Sequence, residues 1–274
     1  MDAYSHRFAN QLLGNSPGAA ALEITVLGPE LLANGEVTCA VAGAEIECRV
    51  DDVAAPFNRP FAVPPGARLR FGARGAGARA TLAVRGGFDV PATFGSRAVH
   101  LVSRMGPFGG RPLRAGDILP VAPSTVSPPA LAGRPLALPQ GGARVRVVPA
   151  PHRERFTGDA WALLVRERFT VSPQSNRMGY RLEGPLLGHV GAADILSEAM
   201  PLGALQVPAS GQPILLMAER QTTGGYATIA IVITADLPLA GQLAPGDWIT
   251  FTPVTHAEAI GALREREAAL TGGR

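Results

Sequence analysis

Short apolar runs separated by turn residues dominate the chain. Leu22–Leu27 alternates in part, and Pro60–Val63, Pro64–Gly66 and Ala67–Phe71 read as strand, turn, strand. Ala80–Val84, Ala143–Val148, Arg168–Val171, Arg181–Glu183, Ala204–Val207, Pro213–Ala218 and Thr228–Ile233 read as further core strands. Brief apolar stretches bounded by Gly and Pro suit buried strands better than helices. Helices are fewer. Asp2 is placed to cap a helix through Leu13, with Tyr4, Phe8 and Leu12 on one face and Gly14 as its stop. Thr157 can cap a short helix over residues 158–165, and a terminal helix follows Pro253 with Ile260 and Leu263 expected inward. The pattern predicts a mainly β fold.

Residues 121–142 are rich in Pro, Ala, Ser and Gly and read as a linker. It separates an N-terminal β lobe (1–130) from a second β lobe with a terminal helix (143–274). Leu113–Leu119 and Leu243–Ile249 each contain a turn ending in Gly-Asp, which suggests divergent copies of one unit. Gly35 and Asp51-Asp52 bracket an expected hairpin that puts Cys39 and Cys48 on adjacent strands around Ala42–Ala44.

Composition then removes whole classes of chemistry. All 25 basic side chains are Arg, so no lysine can form a Schiff base, serve a phosphate loop or carry biotin. The net charge of +3 is spread along the chain, and aromatics make up only 5%, too sparse for a nucleic-acid stacking platform. No nucleic-acid partner is expected. No apolar run can cross a bilayer, and the start is polar with His6 and Arg7 rather than signal-peptide-like. The expectation is a cytoplasmic protein without a membrane partner. The two cysteines read as small core residues in a reducing compartment. The five histidines show no ligand spacing, so no metal site is expected.

The densest cluster of hydrogen-bonding groups is Glu219–Tyr226, between two core strands. Gly224 and Gly225 would let the backbone turn with positive φ and let a ligand approach the main chain. Successive N–H groups in such a turn can hold an anion. A solvated hairpin loop fits the same residues. Two other patterns are set aside. Gly14–Gly18 matches G-x-S-x-G but follows a helix and contains Pro17. Gly75–Ala80 resembles a degenerate dinucleotide fingerprint, but a strand follows, so it reads as a hairpin turn.

Three stretches together carry a resemblance: Ser172–Leu182, Arg220–Tyr226, and Gly86–Pro91 with Gly95–Arg97. Ala204–Pro208, Gly211–Pro213, Ala235–Pro238 and Arg264–Glu267 support it. The chain resembles the KipA-like family, also described as the 5-oxoprolinase C-subunit family, allophanate hydrolase subunit 2, or carboxyltransferase subdomain A/B. The resemblance implies cyclophilin-like antiparallel β-barrels in two lobes with a few short helices. It implies a KipI-like partner and, in 5-oxoprolinase, a LamB/YcsF-like subunit. That complex is an ATP-dependent amidohydrolase opening 5-oxo-L-proline to L-glutamate. The alternatives it implies are a carboxyltransferase moving CO2 from carboxybiotin to urea or a related amide, and a regulatory binding module. Without lysine, biotin would need a separate carrier, and ATP would have to bind without a phosphate-loop lysine.

The resemblance also implies a leading V-Q-D-x-G-R segment ending in G-x-M-D, of which Met1-Asp2 stands here. An open first barrel is therefore expected. Glu219, Ala227 and Asn176 stand where the family favours Asp, Pro and Asp. Both chemistries demand stabilisation of charge on an amide oxygen, which guanidinium and N–H groups supply. Arg220, Gln221, Thr222 and Thr223 are the candidate catalytic residues. Arg177, Gln174, Gln206, Gly224, Gly225, Tyr226, Arg85 and Arg97 are the candidate substrate-binding residues, the last two reaching from the first half across a cleft. The competing reading makes Ser172–Tyr180 a capped corner, with Arg177 paired to Glu183, Met178 and Tyr180 in the core and Arg97 holding Asp89.

Overall fold

The computed structural model describes residues 1–126 and 133–272. Residues 127–132 of the expected linker lie outside the described residues. The chain divides into two compact units. One comprises Ala3–Gly75, Arg79–Pro135 and the chain from Leu270, and the other Met1–Asp2, Ala76–Ala78 and Leu136–Ala269.

The first unit opens with helix α1 (Ala3–Leu12). Strands β1 (Leu22–Thr25), β2 (Glu30–Leu32), β3 (Val37–Gly43), β4 (Ile46–Val50), β5 (Val53–Ala54), β6 (Pro60–Val63), β7 (Arg68–Arg74) and β8 (Arg79–Val84) follow, then a short turn α2 (Pro107–Gly110). They form two four-stranded antiparallel sheets, β1-β8-β3-β6 and β2-β7-β4-β5. Alternate residues of both sheets, among them Cys39, Val41, Ile46, Cys48, Leu69 and Leu82, enter one core, as period-two strands facing each other require. Helix α1 packs on β3 and β8. Every residue of β8 is therefore buried.

Three expectations change here. Cys39 and Cys48 do not lie on a hairpin, because β3 and β4 belong to different sheets. The chain turns a corner at Gly43 (φ 93°), after which Ala44 N–H donates to the Arg79 carbonyl. Both cysteines are free and buried. Strands β6 and β7, and likewise β7 and β8, are also in different sheets, so Gly75–Ala80 is not a hairpin turn. Distant strands take the hydrogen bonds that neighbouring ones would have shared. Residues Leu113–Leu119 contain no strand.

The second unit runs through β9 (Gly142–Pro149), α3 (Gly158–Arg166), β10 (Phe169–Val171), β11 (Gly179–Glu183), β12 (Asp194–Ala199), β13 (Ala204–Gln206), β14 (Ile214–Leu216), β15 (Thr223–Tyr226), β16 (Thr228–Val232), α4 (Leu237–Ala240), β17 (Trp248–Pro253) and α5 (His256–Thr271). Seven of these strands close a barrel in the order β10-β11-β14-β13-β16-β9-β17. Its core includes Val145, Phe169, Tyr180, Leu205, Leu215 and Phe251. Burying each such side chain contributes roughly 1.5–3 kcal/mol. Closure comes from the parallel pair β9–β17, in register from Gly142–Trp248 to Val147–Pro253. A Cβ at Gly142 would come within 2.3 Å of the Trp248 ring, so only glycine fits there. Thr157 caps α3 by accepting the Ala160 N–H at 3.2 Å, as its sequence position predicts.

Helix α5 begins with a reciprocal cap between Thr255 and Glu258. Its inward face differs from the expected one. Ala259 and Ala262 pack with Ile233 and Ala235, while Ile260 is exposed. Small residues let the helix lie close to its neighbours, and here close approach outweighs side-chain size.

Candidate functional site

Among the described residues strands β12 and β15 pair only with each other, making a two-stranded ribbon outside the barrel sheet. Strand β12 leaves no signature in the sequence, because Asp194–Ala199 has no fully buried residue to impose alternation. The octet's glycines do not turn the chain. Gly224 and Gly225 are extended within β15 and do not have positive φ. No concave run of N–H groups forms, because the strand is paired with β12. The need for glycine is close approach. A Cβ at Gly224 would come within 2.8 Å of Gln206 Nε2 and 2.9 Å of Met200 Cγ.

A connected polar cluster ties this ribbon to the barrel. Met200 N–H donates to the Thr222 carbonyl, and its own carbonyl accepts from Arg220 Nε, both at 2.9 Å. Gln206 is buried. Its Nε2 donates to Met200 Sδ (3.0 Å) and to the Tyr226 carbonyl (3.3 Å), and its Oε1 accepts from Gln221 Nε2 (3.1 Å). Gln206 is thus committed to holding the octet. Gln221 and Tyr226 flank it, with Tyr226 exposed on the ribbon opposite Asp194. Thr222 and Thr223 are exposed beside them.

The two candidate arginines of this unit differ in kind. Arg177 donates through Nε to Glu219 Oε1, and the Glu219 N–H donates to the Arg177 carbonyl at 2.8 Å. The ion pair is therefore made with Glu219 rather than the expected Glu183. Arg220 is anchored through Nε to a neutral carbonyl, so among the described residues its positive charge is held in place without a carboxylate partner. An oriented guanidinium of this sort matches a planar carboxylate or phosphate.

The loop from Ser172 to Tyr180 is a corner fastened by its own side chains. Asn176 Oδ1 accepts the Met178 N–H (2.8 Å), and Ser175 Oγ accepts the Arg181 N–H (3.0 Å). Gln174 is exposed on this loop. Tyr180 is in the core, its hydroxyl donating to the Leu243 carbonyl at 3.3 Å. The corner meets the chain leading into the octet where Met217 N–H donates to the Met178 carbonyl, and the octet itself where Glu219 N–H donates to the Arg177 carbonyl.

Arg85 and Arg97 belong to the first unit. Arg85 Nη2 donates to the Val126 carbonyl at 2.6 Å, and Arg97 Nε to the Val90 carbonyl at 2.9 Å rather than to Asp89. Asn15, in the discarded G-x-S-x-G pattern, has a structural place. It donates to the Val84 carbonyl (2.7 Å) and accepts the Gly86 N–H (2.8 Å). Among the described residues no cluster of His, Cys, Asp and Glu could hold a metal ion, and no helix is long and apolar enough to cross a membrane.

A closed seven-stranded barrel thus carries a polar two-stranded ribbon, with the Arg220 guanidinium held beside it by a main-chain carbonyl. A family model described as carboxyltransferase domain, subdomain A and B, matches residues 1–253, and the chain belongs to that family. It is similar to the 5-oxoprolinase C subunit of Escherichia coli, 37% identical over 97% of this chain and 86% of that protein. The Haemophilus influenzae protein of the same name is 34% identical over 97% of this chain and 85% of its own length. The crystal structure of the K. lactis urea amidolyase superposes with a TM-score of 0.93 at 30% identity, covering 100% of this chain and 18% of that one.

Proposed function

We propose that this chain is a subunit of an ATP-dependent amide hydrolase that opens 5-oxo-L-proline to L-glutamate, acting in the cytoplasm with a KipI-like and a LamB/YcsF-like subunit. The observation that carries the reading is Arg220, whose guanidinium is anchored by a main-chain carbonyl beside exposed hydroxyls. 5-Oxo-L-proline presents a planar carboxylate and a planar amide, and a guanidinium binds the first through paired N–H donors. Near-full-length similarity to two 5-oxoprolinase C subunits supports the choice of substrate. ATP would be bound in the assembled complex, through groups other than lysine.

In this arrangement Arg220 orients the substrate, with Gln221, Thr222 and Thr223 around it, and the Gln206 clamp keeps the ribbon from shifting. The test is turnover of 5-oxo-L-proline, with release of ADP, by the complex reconstituted from all three subunits. Arg220→Ala is expected to raise KM at least tenfold, since a charged hydrogen bond is worth about 1.5–3 kcal/mol. Unchanged kinetics would remove Arg220 from the site. One observation favours a second reading, the superposition of the whole chain on part of a urea amidolyase. That reading, transfer of a carboxyl group from carboxybiotin on a separate carrier to urea or a related amide, predicts dependence on a biotinylated carrier and none on 5-oxo-L-proline.

A further inference from the structure

Two groups outside the residues discussed so far meet at the ribbon. His152, in the turn after β9, has a side chain only 16% exposed. Its Nδ1 accepts the Thr228 N–H at 3.4 Å. The neutral ring therefore carries its proton on Nε2. That nitrogen lies 3.5 Å from Glu198 Oε2. Glu198 stands directly opposite Gly224 in the ribbon. Opposed residues of an antiparallel pair project to the same face. At Gly224 that face meets Gln206 and Met200, and the Met200 carbonyl anchors Arg220. Glu198 thus borders the cluster that presents the guanidinium. The octet's own carboxylate, Glu219, is engaged by Arg177.

We propose that Glu198, oriented by the Nε2–H of His152, is the proton acceptor of this site. The inference rests on the amide-activating function proposed above. When the amide oxygen attacks the terminal phosphoryl group of ATP, an O–P bond forms, the anhydride P–O bond breaks and ADP leaves. The amide N–H proton passes to the Glu198 carboxylate as the carbon–nitrogen bond gains its second bond. A neutral imidazole suits the task. Its Nε2 faces the carboxylate at 3.5 Å and limits the positions the carboxylate can take. Glu198 keeps a side chain 46% exposed, open to an incoming ligand. His152 is a positioning residue, acting through Glu198.

The test uses the reconstituted three-subunit complex with 5-oxo-L-proline and ATP. Glu198→Gln keeps the shape but cannot accept a proton. It is expected to lower kcat by roughly 10²–10⁴-fold, the usual worth of general-base catalysis, and to leave KM within about twofold. Glu198→Asp should fall between. His152→Gln, whose amide can still donate toward Glu198, should retain more activity than His152→Ala. Wild-type kcat in Glu198→Gln, or a loss confined to KM, overturns the assignment while leaving the proposed function standing. If Glu198→Gln does not fold, equal activity of the two His152 variants overturns it instead. A wild-type complex that does not open 5-oxo-L-proline overturns the functional reading and this inference together.

Discussion

Arg177 and Glu219 are joined twice, guanidinium to carboxylate and main-chain N–H to carbonyl, across the gap between the β10–β11 corner and the start of the octet. The carboxylate side chain is 10% exposed and the guanidinium 35%. This pair fixes where the octet begins. Arg177→Ala is expected to destabilise the fold by about 1 kcal/mol, a figure reduced by the partial exposure of the arginine. Its effect on KM should be far smaller than that of Arg220→Ala. Thermal unfolding of the chain, set beside the kinetics of the complex, separates the two arginines.

Gly224 offers a second test. An added methyl group there would press on Gln206 Nε2 and Met200 Cγ, whereas at Gly225 the nearest contacts are the Ile195 carbonyl at 3.3 Å and Ser197 Oγ at 3.6 Å. Gly224→Ala should cost roughly 1–3 kcal/mol by overpacking and loosen the Gln206 clamp. Gly225→Ala should be milder on both stability and turnover. Denaturant midpoints for the two variants measure the difference.

Burial pushes the thiols of Cys39 and Cys48 up to about 12, with Cys48 adding a smaller repulsive contribution at Cys39. Both should resist alkylation at pH 8 in the folded protein and react once it is unfolded, because the thiolate is the nucleophile. Between the ordinary value of 9.0 and about 12 the folded state holds protons that the unfolded state has lost. Stability therefore falls as pH rises through that window. Replacing both cysteines by Ala should flatten the fall, as measured by denaturant titration at stepped pH.

Asp117 titrates in the opposite sense. The bidentate Arg111 guanidinium, helped by the Arg114 N–H, holds its carboxyl at about 2, below the ordinary 3.8. The contribution of this pair is present above pH 3.8 and is lost as pH falls towards 2. A carboxyl NMR titration should give a midpoint near 2, returning towards 3.8 in Arg111→Ala.

Much of the barrel was legible in the sequence, because buried strands leave short apolar runs between turn formers. Pro213–Ala218 and Thr228–Ile233 announce β14 and β16 in this way. The Thr157 cap was equally plain. Strand β12 was not, since an exposed ribbon imposes no alternation. Sheet membership was also hidden, because a corner such as Gly43 is spelled like a hairpin turn. Within the octet, residue types signalled a polar cluster, but glycine has two uses, and here close contact outweighs turning. His152 and Glu198 were illegible because they lie far apart in sequence and only the ribbon brings them together. The matched Gly-Asp turns behave alike locally. Gly116 and Gly246 both have φ of 90°, and Asp117 and Asp247 each accept the N–H three residues before. A strand begins only after the second.

The parallel closure of the barrel has a consequence for assembly. Strand β9 opens the barrel segment and β17 ends it, yet they lie side by side. During synthesis the N-terminal partner must wait, with one edge bare, until almost all of the intervening chain has emerged. Pairings between such distant segments form slowly, since a long loop must be closed first. A ribosome stalled before Trp248 would hold an open sheet whose two unsatisfied edges, on β9 and β10, invite chaperones or neighbouring nascent chains.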